Sequence, residues 1–189
     1  MSFEEDIKNA IKVLREGGII LYPTDTVWGL GCDPQNSEAI ARIFEIKERS
    51  DSKSLILLAD SEEMLSRYVK DIPAVAGQIL SVSDRPLTII YPSGKNLAPG
   101  VLAEDGSIGI RITDDHFCTQ LLGRFRKPIV STSANISGEA SPATFGEISE
   151  KIKSRVDYIV THRQEDRHKR SASPVIKVEM NGEIKIIRK

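Results

Sequence analysis

Three short clusters carry residue types that can build a polar binding site: Thr24-Asp25-Thr26, Lys47-Glu48-Arg49 with Lys53 just beyond, and Ser131-Thr132-Ser133-Ala134-Asn135. Hydroxyls and an amide suit a small zwitterionic or hydroxylated ligand, while several cations in one place suit a polyphosphate. Together they point to a nucleotide and a small polar co-substrate. Neither a GxxxxGK[ST] phosphate loop nor a GxGxxG dinucleotide turn is present, so phosphates must be held by side chains and by helix or turn amides. His116, His162 and His168 are scattered and none stands beside a Ser or Cys in a recognisable pattern, so no covalent nucleophile is expected.

Each cluster also has a purely structural reading. Pro-Thr-Asp-Thr can be a capped turn in which Asp25 bonds the backbone ahead of it, which leaves Asp25 open between turn-former and metal contact. Lys47 and Arg49 at a helix C-terminus are favoured by the helix dipole whatever the function. Ser131 to Asn135 can be a polar loop closed by Asn-Ile-Ser-Gly. Trp28, the only tryptophan, reads as packing.

The clusters need elements to hold them. Ser2 and Glu5 have the form of a capping box ahead of Ile7, Ala10, Ile11 and Leu14, a helical spacing that stops at Gly17-Gly18. A strand of about residues 18–22 then runs into Tyr22 to Cys32, read as the floor of an active site at the end of a sheet. A helix from Ser37 to near Lys47, a buried strand over Leu55 to Ala59, and two short helices split by Asp71-Ile72-Pro73 follow. Residues 86–91 and 107–112 are β-rich and flank a glycine- and proline-bearing loop, 92–106, that reads as a lid or lobe boundary. A short helix near 115–123, a strand 128–130, a helix near 144–153 and strands near 156–160, 173–179 and 183–188 complete the chain, with Asn181-Gly182 as a hairpin turn. The expected fold is a single α/β domain over 1–189: an open, twisted, mixed sheet flanked by helices.

With 26 Lys and Arg against 27 Asp and Glu, the net charge of −1 rules out a global electrostatic grip on nucleic acid. RNA contacts would need local patches, such as Arg124 to Lys127 or Arg163 to Arg170. No apolar run reaches the roughly 20 residues of a membrane span, and the first residues lack a signal-peptide pattern, so a cytoplasmic protein is expected. Cys32 and Cys118 suggest neither a disulfide nor, with the histidines, a metal site.

The wording of the clusters is more specific than their spacing. Tyr22-Pro-Thr-Asp-Thr-Val-Trp-Gly-Leu-Gly-Cys-Asp33, Lys47-x-Arg49 ahead of Leu55 to Leu58, Ile108-Gly-Ile-Arg111 and Ser133-x-Asn135-x-Ser137-Gly138, in this order, resemble the YrdC-like family of threonylcarbamoyl-AMP synthases. The resemblance extends from about Ile7 to Arg188. It implies the YrdC-like, dsRNA-binding-type α/β fold, and a reaction of L-threonine, bicarbonate and Mg²⁺-bound ATP that yields threonylcarbamoyl-AMP and pyrophosphate. A separate transferase complex then modifies tRNA beside the anticodon. An RNA-binding (tRNA or dsRNA) module of the same fold without adenylation activity is the alternative.

Carried over by position, the resemblance implies catalytic roles for Lys47 and Arg49, and threonine contacts from Thr26, Arg111, Ser131 and Ser173. It implies ATP contacts from Arg49, Lys53, Ser133, Asn135, Ser141 and Arg188, and assigns no metal-ligating residue. The sequence departs from the family's usual wording at Glu48-Arg49-Ser50, at Lys53-Ser54, at Trp28 where tyrosine is common, and at Ser173-Pro174. Ending at Lys189, it is expected to lack the extra domain of the longer synthases.

Overall fold

The computed structural model describes residues 1–48 and 55–189. Helix α1 (Phe3–Arg15) starts at the expected capping box: Ser2 Oγ accepts from the Glu5 amide and Glu5 Oε2 from the Ser2 amide. It leads into β1 (Ile20–Tyr22), β2 (Gly29–Cys32), α2 (Ser37–Ile46) and β3 (Ile56–Ala59), then α3 (Glu62–Ser66), α4 (Ala74–Val82), β4 (Thr88–Tyr91), β5 (Ile108–Ile112), α5 (His116–Phe125) and β6 (Ile129–Ser133). A 3₁₀ turn (Phe145–Glu147), α6 (Glu150–Lys153), β7 (Tyr158–Ile159), β8 (Val175–Val178) and β9 (Ile184–Arg188) follow. No described helix is long and apolar enough to cross a membrane.

One mixed sheet takes strands from both ends of the chain, in the order β7-β1-β2-β6-β3-β5-β4-β8-β9. Its register sets the site. Arg188, Val175, Thr88 and Arg111 stand side by side across β9, β8, β4 and β5, and Gly31, Ser131, Ile56 and Gly109 across β2, β6, β3 and β5. Side chains alternate faces along a strand, so these polar and small residues share one face. Their opposite-face neighbours Leu30, Val130, Leu57, Ile110 and Ile89 are buried, and join the apolar stripes of α1, α2 and α5 in one core.

Three expectations change. Gly29–Cys32 is a strand that the sequence reading did not assign, so Tyr22 to Cys32 is a hairpin, with β1 and β2 antiparallel around residues 23–28. Two glycines hid it, and they are there for closeness: a Cβ on Gly31 would lie 2.8 Å from both Tyr22 and Ile129. The helix near 144–153 is two pieces, because Ile148 takes an extended backbone between the 3₁₀ turn and α6. Loop 92–106 is tied down rather than lid-like: the Gly94 amide donates to Gly106, Ala98 to Pro34 and Ala103 to Ser107, and Val101 is fully buried.

Candidate functional site

A cleft of about 330 Å³ opens over the polar face of the sheet. Thr24, Thr26, Lys47, Arg111, Ser131, Ser133, Asn135, Ser141, Ser173 and Arg188 all line it, so the predicted residues that fall within the described chain converge on one place. No residue of 92–106 is among the described lining. Arg49 and Lys53 lie outside the described residues.

One wall is the hairpin turn. Thr24 Oγ1 donates to the Val27 carbonyl at 2.7 Å and accepts from the Thr26 amide at 3.1 Å, and the two threonine hydroxyls are 3.1 Å apart. This is a hydroxyl-closed turn, so the structural reading of the motif holds for Thr24, and it leaves Thr26 on the cleft. Tyr22, fully buried, donates its hydroxyl to Ser131 Oγ at 2.9 Å and pins that serine beneath the turn. Burial raises the Tyr22 pKa, so the phenol stays neutral.

The floor is cationic. Arg111 is 4% exposed, with Nη2 3.0 Å from Asp25 Oδ1. Its remaining contacts are long, 3.5 Å from Nη1 to Ser173 Oγ and 3.4 Å from Nη2 to Thr24 Oγ1. Asp25 is thus neither a turn-former only nor a cleft-lining metal contact, but the arginine's counter-ion. Ser173 is held by Thr88 Oγ1 at 2.8 Å, and its carbonyl accepts from Arg188 Nε and Nη2 at 3.1 and 2.6 Å. Burial, and then the Arg111 charge, pull the Arg188 pKa down.

At the other end, Lys47 is 3% exposed and donates to the carbonyls of Ser133 and Asn135 at 2.6 and 2.8 Å. The helix-end reading of this lysine is therefore incomplete: it reaches under the Ser-x-Asn turn and holds it. The Asn135 amide donates to Ile136 and Glu139 carbonyls and shapes the turn, while Ser133 and the exposed Ser141 present hydroxyls to the cleft.

Some supporting residues escaped the sequence reading. Thr88 is a lone hydroxyl in an apolar strand, a signal that was available. Arg163 and Arg170, the ends of a stretch named as a local RNA patch, reach the Thr24 and Asp25 carbonyls at 3.5 Å, and Arg163 pairs with Asp115. Trp28 is buried and packs on Phe145 with ring centroids 4.8 Å apart, as expected of a packing residue.

A hydroxyl- and arginine-lined cleft on the open face of this mixed sheet places the chain in a defined class: it belongs to the Sua5/YciO/YrdC family, described as Telomere recombination, which matches residues 12–189. It is similar to the threonylcarbamoyl-AMP synthase of Pseudoalteromonas translucida (strain TAC 125), 36% identical over 187 residues, which are 97% of this chain and 98% of that one. Among solved structures, Escherichia coli YciO shares its fold (TM-score 0.85, 24% identity, 100% of this chain and 90% of that one). P. abyssi Sua5 complexed with L-threonine matches with TM-score 0.79 and 28% identity over 94% of this chain. This chain covers 52% of that Sua5, about half its length.

Proposed function

We propose that the protein is a threonylcarbamoyl-AMP synthase, a nucleotidyltransferase that joins L-threonine, bicarbonate and ATP for tRNA modification. The observation that carries the reading is the gathering of Arg111 with the hydroxyls of Thr26, Ser131 and Ser173 at one end of a cleft whose other end is the Lys47-braced Ser133 turn. A guanidinium among hydroxyls fits the carboxylate and hydroxyl of threonine. The serine turn with Ser141 fits the ATP side; the resemblance also assigns to ATP Arg188, which sits beside Ser173, and Arg49 and Lys53, which lie outside the described residues.

In this reading the threonine amine captures bicarbonate as a carbamate with loss of water. A carbamate oxygen then attacks the α-phosphorus of ATP and pyrophosphate leaves. The chain's own contribution is positioning and charge stabilisation, with no covalent intermediate. The described lining offers hydroxyls and cations but no carboxylate, and no group of three or more His, Cys, Asp or Glu among the described residues is placed to hold a metal. In this reading Mg²⁺ enters with ATP, as Mg·ATP. The product goes on to a threonylcarbamoyl transferase complex.

The RNA-binding alternative is weakened by ion pairs within its basic stretches: Arg124 with Glu4, Lys127 with Asp33, and Arg170 with Asp166. Purified protein given L-threonine, bicarbonate and Mg·ATP should release pyrophosphate only when threonine is present. Threonine-independent release, or none, refutes the assignment.

A further inference from the structure

The geometry points to Asp25 as a positioning residue that aims the Arg111 guanidinium into the cleft, an inference that rests on the synthase reading above. Asp25 is outside the cleft lining; it borders a second cavity of about 620 Å³ on the far side of the pair, with Asp60, Asp84 and Arg85. It therefore acts through Arg111 rather than on a ligand. The two side chains are 7% and 4% exposed, so their attraction is little screened by water. The arginine's other contacts, at 3.4 and 3.5 Å, are too long to fix a planar group by themselves.

Arg111 also shares its register row with Arg188, whose pKa its charge depresses, and the carboxylate of Asp25 offsets that repulsion. The ion pair is not aligned as a hydrogen bond. Asp25 Oδ1 has no hydrogen-bond partner among the described residues, and neither has Arg111 Nε. The fork is held by charge while keeping donors for an incoming carboxylate.

Pyrophosphate release measured with threonine and ATP varied separately tests this. Asp25→Asn should raise the threonine KM by about tenfold or more, with kcat and the ATP KM within about threefold of wild type. Asp25→Glu, which keeps the charge, should recover most of the loss. In an Arg111→Met background Asp25→Asn should add nothing, because no guanidinium is left to aim. That double variant replaces a buried ion pair with neutral side chains and keeps the question answerable if Asp25→Asn alone fails to fold. A threonine KM unchanged in Asp25→Asn, a fall in kcat alone, or a further loss on top of Arg111→Met overturns the inference while leaving the synthase reading standing. Wild-type protein with no threonine-dependent release overturns both.

Discussion

Replacing Lys47 by Met separates a surface cation from a buried brace. Methionine keeps most of the aliphatic length and removes the ammonium, so the burial cost of that charge is recovered while its hydrogen bonds to the Ser-x-Asn turn are lost. The carbonyls of Ser133 and Asn135, now 2.6 and 2.8 Å from Nζ, are left without this donor. The Ser133 carbonyl still accepts from the Asn135 backbone amide at 2.9 Å, so the Asn135 carbonyl is the one left unpaired, at a cost of about 1–3 kcal/mol. A helix-end cation would contribute only about 0.3–1 kcal/mol. For a chain of this size, each kcal/mol lowers Tm by about 2–4 °C, so the variant should melt about 2–12 °C below wild type. Urea unfolding gives the free energy and pyrophosphate release the activity. Both should fall, since the turn that presents Ser133 is no longer held. A stability loss below about 1 kcal/mol would refute the brace and return Lys47 to a helix-end role.

Two further perturbations follow from the geometry. The buried Asp6 carboxylate accepts from Tyr158 Oη, the Thr161 amide and hydroxyl, and the His162 amide at 2.7–2.9 Å. Burial pushes its pKa up, but these donors outweigh burial and hold it below the ordinary carboxylate value. The stability it contributes is thus fully present above that ordinary value and disappears as pH falls through the lowered one; Asp6→Asn should narrow the difference between neutral and acid urea midpoints, and an unchanged difference counts against it. Gly31→Ala places a methyl 2.8 Å from Tyr22 and Ile129, where overpacking costs about 1–3 kcal/mol, and thermal unfolding should report the loss; a Tm equal to wild type would show that the hairpin has room to give.

The fold was legible where one local rule governed each element. The Ser2–Glu5 capping box, the α2 spacing, the apolar β3 and the Asn181-Gly182 turn, whose glycine takes φ +87°, read directly from sequence. Strand β2 did not, because Gly31 serves a close approach to Tyr22 and Ile129, and Gly29 one to Ser131 and Thr132, a tertiary demand that contradicts strand propensity. The 92–106 segment read as a lid or lobe boundary from its glycines and prolines, yet backbone bonds to Pro34, Tyr68 and Lys70 anchor it. Motif wording located the cleft residues, but their division of labour depended on pairing: that Lys47 braces carbonyls, that Asp25 faces Arg111, and that Thr88 holds Ser173 are long-range facts with no local signature.

The register of the sheet has a consequence for how the protein is made. Arg188, Val175, Thr88 and Arg111 become neighbours only when β9 has paired with β8, β8 with β4 and β4 with β5, and the serine row needs β2 beside β6. Pairings this far apart in sequence form slowly, because loop closure precedes any reward. The lining is complete only when β9 is paired with β8, and a ligand that touches both rows stabilises strand pairings from distant parts of the chain rather than a single loop.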